Sequence, residues 1–215
     1  MAEEKNILTK PKKAERQKSL SKIRFEMVKE RHLNRLKKAI ESGEADKAIV
    51  PLCNYLFSLK HFFTSSSCSG RIILLGVDEA ERKGNAFFHR KWHETVKPDE
   101  AWQALQENVK GKSIWLKQEP FIIHIEADSL KNIEKILELC RKAGIRRYGL
   151  QVIKKGKCMV ELQGSQYLSV PVIEKGKLMI GKDYFDYLIG KANEKFLKNE
   201  KARNRFELLI RKELK

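Results

Sequence analysis

Two short stretches in the C-terminal third limit the fold more than anything else in the chain. VIKKGKCMV begins at Val152 and VIEKGKLMI at Val172, and each is an apolar run, a Lys-Gly turn and a second apolar run. Gly156 and Gly176 supply the positive φ that such tight turns need, so both stretches read as β-hairpins. Hairpin-joined strands run antiparallel, which argues against an all-parallel sheet. Nine residues of similarity reflect shared local chemistry, not a duplication.

The rest of the pattern fits around these hairpins. Residues 13–42 predict a helix, with Leu20, Ile23, Met27, Leu33, Leu36 and Ile40 as its apolar stripe and Gly43 as its stop. A second helix is expected from Ala45 to Leu59, with Ile49, Leu52, Leu56 and Leu59 inward and Pro51 in its tolerant first turns. HFFTSSS, RIILLGV, NAFFHRKWHE, SIWLKQE, FIIHIEA and YGLQVI read as strands. PDEAWQALQENV and LKNIEKILELCRKA read as helices, the second capped by Asp128 or Ser129 and ended by Gly144. A long basic helix is expected from Asp183 to Leu214, with a break near Asn199. The fold class is therefore α+β (mixed α/β). We expect a single domain over 1–215, built as a mixed, mostly antiparallel sheet covered by helices.

Charge decides the class of partner. The net charge is +17, and it is uneven: residues 1–42 carry 13 basic and 6 acidic side chains, and residues 191–215 carry 9 and 4. Polyanions are drawn to such surfaces through counterion release, which points to nucleic acid. A Lys- and Glu-rich thermophile surface accounts for the charge content but less well for the imbalance of sign. No run of 18 apolar residues predicts a membrane span, and Met1–Ser19 lacks the apolar stretch of a secretory leader, so a cytoplasmic protein is expected. The four cysteines, Cys53, Cys68, Cys140 and Cys158, form no CxxC pair, so neither a disulfide scaffold nor a thiolate metal site is expected. His89 and His93 stand four apart, but on a strand that spacing does not serve a metal.

The chemistry concentrates in FFTSSSCSGRIILLG, Phe62 to Gly76. A strand that ends in Ser66, Ser67, Cys68 and Ser69 presents short donors and a nearly bare backbone. Gly70 turns the chain or lets a ligand approach closely, and Arg71 brings a planar charge suited to carboxylate or phosphate. A polar hairpin turn is the plainer reading, but five hydroxyls beside a thiol exceed what a turn requires. KWH offers Lys91 as a charge, Trp92 as a stacking ring or a core residue, and His93 as a titratable ring. KQEP offers Lys117 and sets Glu119 just before a strand-breaking proline. His124 alternates with Phe121 and Ile123, on the same strand face as Ile122 and Glu126. His93, Glu119 and His124 are the candidate catalytic acid–base groups. Neither a Walker A motif nor G-x-G-x-x-G occurs, so common nucleotide-binding and Rossmann architectures are not expected.

In this order, FTSSSCSGRIILL, KWH and WLKQEPFIIHI resemble the archaeal and eukaryotic wybutosine-synthesis methyltransferases, the third enzyme of that pathway. The likeness runs from about residue 20 to 195, and GSQYLSVPV from Gly164 adds Ser165 to the expected binding residues. The resemblance implies transfer of a methyl group from S-adenosylmethionine to N4 of the tricyclic guanosine derivative at position 37 of tRNA(Phe), on a non-Rossmann fold and without a metal. It also implies that Arg71 and the Ser66–Gly70 backbone bind a carboxylate, of either the methyl donor or the substrate. The anticodon loop and S-adenosylmethionine are the expected partners, with no membrane and no obligate protein partner. The alternative is a basic RNA-binding module without catalysis. The enzyme reading requires the Ser-Cys-Gly-Arg, Trp-His and Glu-Pro segments to meet at one hollow.

Overall fold

The computed structural model describes residues 13–78, 83–107 and 113–215, with the side chains of the first helix described from Leu20 onward. The part of the N-terminal segment before residue 13, read above for a leader, lies outside the described residues. In chain order the elements are α1 (Lys13–Glu41), α2 (Val50–Ser58), β1 (Phe62–Cys68), β2 (Arg71–Val77), a 3₁₀ turn (Lys83–Asn85), β3 (Phe87–Trp92), α3 (Pro98–Gln106) and β4 (Ser113–Glu119). There follow β5 (Ile122–Ala127), α4 (Leu130–Ala143), β6 (Arg147–Lys154), β7 (Lys157–Gln163), β8 (Leu168–Glu174), β9 (Lys177–Leu178) and α5 (Lys182–Glu213). The α+β class is as expected. Among the described residues no helix is long and apolar enough to cross a membrane.

Both hairpins form as the sequence predicts. Gly156 sits at φ +75° and Gly176 at φ +80°, and Lys175 beside the second is also left-handed at φ +48°. All strand pairing is antiparallel, but the strands make two sheets where one was expected, in the orders β1-β5-β7-β6 and β3-β2-β4-β8-β9. The strand–helix–strand unit is real, yet β7 lies between its two strands.

The two sheets are one sheet interrupted. β1 runs into β2, β4 into β5 and β7 into β8, and these strands keep the same lateral order on both sides. Pairing ends at Cys68↔Ile122 in one sheet and resumes at Arg71↔Glu119 in the other. The break falls on residues that cannot carry a ladder. Gly70 has φ +100°, and Pro120 lacks an amide hydrogen. α5 spans the break and supplies the hydrogen bonds the ladder has lost. Arg203, buried, donates to the Ser69 carbonyl at 3.4 Å. Asn199 accepts from the Gln166 amide at 3.1 Å and donates to its carbonyl at 2.7 Å. The expected break of the last helix at Asn199 is therefore absent. Asn199 spends its amide on the neighbouring strand instead of competing with its own helix.

Burial follows strand alternation. One face of the first sheet packs Ile123, Ile125, Val160 and Leu162 against α2, α4 and the end of α5 through Phe206 and Ile210. The same side of the second sheet packs Ile72, Leu74, Ile114 and Leu116 against α3 and the start of α5 through Phe185 and Ile189. On the opposite side α1 covers the first sheet only, where Phe25 meets Phe63 at a centroid distance of 5.1 Å and Phe57 completes the cluster.

Two expectations need correction. Leu20, Ile23, Met27 and Ile40 of the predicted α1 stripe are 60%, 51%, 66% and 42% exposed, while Phe25 is buried with Val28, Leu33 and Leu36 packed beside it. The helix carries two apolar stripes, and the ring of Phe63 selects the one containing Phe25. α2 starts at Val50, not Ala45, because Asp46 turns the chain. Its Oδ1 accepts the Ala48 amide at 3.2 Å and its carbonyl accepts the Ile49 amide at 3.1 Å.

Candidate active site

The sequence run that ends β1 reaches the break in the sheet, and the break makes a hollow. Gly70 is required there. A Cβ on it would stand 3.1 Å from both the Glu119 carbonyl oxygen and the Phe121 nitrogen, in a backbone conformation that already favours glycine. The turn aims the Ser69 amide away from any strand partner and onto Asp46, whose Oδ2 accepts it at 2.5 Å. His93, just beyond β3, donates Nδ1–H to the Gly70 carbonyl at 3.0 Å and lies 3.4 Å from the same Asp46 oxygen. Thus one glycine turn fixes an aspartate from the α1–α2 connection and a histidine from the β3–α3 connection.

The electrostatics of this cluster are pronounced. Burial works to raise the Asp46 carboxyl, but hydrogen bonds from His93 and from the Ser69 hydroxyl and amide overcome it and hold the group at about 2. His93 is pushed up to about 10, first by its hydrogen bond with Asp46 and then by that with Cys68, against a smaller desolvation effect. At neutral pH the pair is therefore a carboxylate and an imidazolium. Asp46, Cys68 and His93 each offer one ligand atom, all within 4.8 Å of one another. A metal there would have to displace a proton that His93 holds strongly.

The cluster opens on a hollow of about 390 Å³, in the size range of small-molecule sites. Ser66, Ser67, Cys68, Arg71 and Lys91 line it, facing Arg35 and Leu36 of α1 and Glu44 of the loop. Its floor holds Phe57 and Cys53, and burial raises the Cys53 thiol to about 11, so that it stays protonated. Cations, two carboxylates, hydroxyls and an apolar floor suit a ligand that is zwitterionic at one end and flat at the other. A larger hollow of about 480 Å³ between α1 and the β6–β7 hairpin contains none of the candidate catalytic or binding residues named from the sequence.

The three segments expected to meet do meet, though not every residue does so through its side chain. Ser66 is exposed at the rim, Ser67 and Cys68 are half-buried, and Ser69 and Gly70 contribute backbone groups. Thr64 and Ser67 bond to each other at 2.6 Å, so part of the hydroxyl set serves the strand. Glu119 adjoins the hollow as the partner of Arg71, with Oε2 accepting from Nε at 2.6 Å. Lys117 lies on the same sheet face, its Nζ 5.5 Å from the Trp115 ring centroid. Trp92 points the other way. It packs on the second core and donates Nε1–H to Glu100 at 2.8 Å. His124 is held by Glu161 at 2.7 Å on the first sheet and does not line the hollow. Ser165 is exposed in the β7–β8 connection, bonded to Gln166 at 3.5 Å.

Asp46 and Arg203 escaped the sequence reading. Asp46 looked like one more polar residue in an expected helix, and its only signal was its place between Gly43 and the apolar run from Ile49. Arg203 sits among basic residues of α5 and nothing in the sequence separates it from its solvated neighbours.

Comparison with known proteins gives the same direction. The family described as Methyltransferase TYW3 matches residues 16–212. A Pyrococcus horikoshii protein named tRNA(Phe) 7-((3-amino-3-carboxypropyl)-4-demethylwyosine(37)-N(4))-methyltransferase 1 is 30% identical over 186 residues, covering 86% of this chain and 94% of its own. A human tRNA wybutosine-synthesizing protein 3 homolog is 35% identical over 167 residues, covering 76% of this chain and 64% of its own. Among solved structures, the PH1069 protein from Pyrococcus horikoshii superposes with a TM-score of 0.82 at 28% identity, over 88% of this chain and 97% of that one.

Proposed function

The chain belongs to the TYW3 methyltransferase family, and from that premise we propose that it methylates N4 of the 7-aminocarboxypropyl-demethylwyosine nucleoside at position 37 of tRNA(Phe). The observation that carries the assignment is the Asp46–His93 pair beside Cys68, set at the mouth of a hollow that Arg71 and Lys91 make cationic. S-adenosylmethionine supplies the methyl group from its sulfonium. The residues present fit it: Arg71, Lys91 and charged His93 suit its carboxylate, Glu44 and Asp46 its ammonium and ribose hydroxyls, and Phe57 with Leu36 a flat ring.

The chain's own part is mostly alignment, since in-line displacement demands that nitrogen, carbon and sulfur share a line. The turn at Gly70 fixes both members of the charged pair, which would hold the donor's charged end in place. The N4–methyl bond forms as the sulfur–methyl bond breaks, and N4 gives up its proton. His93 is already protonated at neutral pH, which makes it an anion receptor and a poor base. Asp46 takes hydrogen bonds on both oxygens and, held at about 2, is a weak base, so it orients the site and the proton of the methylated N4 leaves to water. Glu119 is engaged with Arg71 and acts by holding it. The target lies in an unpaired loop, from which a base is withdrawn at small cost. The basic helices α1 and α5 suit the stem phosphates. We assign this chemistry to one domain, since α5 packs into both large cores, and to the cytoplasm, with neither a metal nor an obligate protein partner.

A non-catalytic RNA-binding module would account for the charge of +17 but not for a half-buried carboxylate–imidazolium pair facing a hollow. The deciding experiment incubates the protein with labelled methyl donor and tRNA(Phe) carrying the unmethylated tricyclic nucleoside. Mass analysis of the digested nucleosides is expected to show one added methyl. No gain, with tRNA still bound, would return the binding-module reading.

A further inference from the structure

The second sheet has a face that no described helix covers, and the residues on it form rows. Register places Phe88, Leu75, Trp115 and Pro171 side by side across β3, β2, β4 and β8. The next row is Lys91, Ile73, Lys117 and Ser169. The third is Arg71 with Glu119, at the edge of the hollow. Successive rows on one face are about 7 Å apart, which matches the spacing of nucleotides in an extended strand.

In these three rows every charge except Glu119 is positive, and each cation rests on a ring. Arg71 Cζ is 4.7 Å and Lys91 Nζ 5.6 Å from the Phe88 centroid, and Lys117 Nζ is 5.5 Å from that of Trp115. Phe88 is 49% exposed on a strand, where a ring of no further use would be turned inward. Its neighbour Phe87 and the core residues Ile72 and Leu74 are on the opposite side. Two rings with cations over them are a stacking platform for bases, with Lys91 and Lys117 placed to meet phosphates. Arg71 and Lys91 belong to both the platform and the hollow, so a strand lying on the face leads directly into the site.

We propose that this uncovered face, through Phe88, Trp115, Lys91 and Lys117, seats the unpaired RNA nucleotides that flank the target base. The inference rests on the function proposed above and names the surface that holds its substrate. Folded RNA duplex suits the face less, since its bases are already stacked on one another and offer no free ring surface.

The test measures binding of an RNA hairpin with the tRNA(Phe) anticodon stem and loop, by fluorescence anisotropy over a range of salt. Trp115→Leu and Phe88→Leu keep apolar bulk and remove the ring. Each is expected to weaken binding about tenfold. Lys117→Ala should shrink the slope of log affinity against log salt by about 0.7. Tyr148→Leu is the control: Tyr148 is 36% exposed, but on β6, at the far edge of the first sheet. It is expected to change nothing. Thermal melts establish that each variant is folded. Affinity unchanged in both ring variants overturns the docking face, whatever the wild type methylates. A wild type that binds the hairpin through these rings yet methylates nothing sinks the reaction and leaves the face standing.

Discussion

The same three strands run through both sheets, yet among the described residues helices cover the first sheet on two faces and the second on one. In the first, Phe63 is fully buried under α1 with Phe25 at 5.1 Å; in the second, Phe88 is 49% exposed with the Arg71 and Lys91 cations over its ring. The difference teaches how the molecule separates stability from function. A doubly covered sheet anchors the chain, and its singly covered continuation can present side chains to a ligand, because its core on the α3–α5 side already holds it. The break between them is where the two regimes meet, and there the charged pair sits.

The contrast can be broken at its strong end first. Phe63→Ala removes a fully buried ring packed between Phe25 and Phe57, and should cost roughly 3–5 kcal/mol of unfolding free energy by chemical denaturation. A cost as small as that at an exposed site would mean that α1 does not seal the first sheet. At the break, Asp46→Asn keeps the shape and removes the charge that Ser69 and His93 address. Turnover is expected to fall about 100-fold through misplacement of the reacting atoms. The stability loss should be only about 2 kcal/mol, below the value for a fully buried pair, because His93 reaches solvent.

The pH response sharpens the same point. His93 is raised from 6.5 to about 10 in the fold, so its contribution is full below pH 6.5 and is lost as pH rises through about 10. Asp46 is lowered from 3.8 to about 2, so its contribution is present above pH 3.8 and is lost as pH falls through about 2. Melting temperature should therefore decline from pH 6.5 towards 10, and His93→Gln should flatten that limb. A variant with the same decline as the wild type would remove His93 as its source. The smallest effect belongs to the open face. Phe88→Ala should leave stability within about 0.5 kcal/mol, measured in the same denaturant series as Phe63→Ala.

Much of this was legible before the coordinates. The hairpins at Gly156 and Gly176 follow from local backbone chemistry and appear where expected. The SSSCSGR segment, Arg71, Lys91 and His93 were singled out and are brought together at one hollow. Trp92, His124 and Ser165 were singled out too, but their side chains point elsewhere. Strand alternation turns Trp92 onto the second core, Glu161 holds His124, and Ser165 lies in the β7–β8 connection; a β-bulge in β3 between its pairings to Leu74 and Leu75 shifts which residues share a face. Which apolar stripe of α1 turns inward was equally beyond the sequence, since both stripes have helical spacing.

The sequence by itself determined what depends on near neighbours in the chain: turns, the approximate places of helices and strands, and the residue types that can hold an anion. Only the tertiary structure decided that three strands break at the same level, that Asp46 and Arg203 come from distant segments to satisfy Ser69, and that one face stays bare. The reason is physical. Those outcomes are set by contacts between residues far apart in the chain, whose partners exist only once the sheets have formed and left particular backbone groups unpaired.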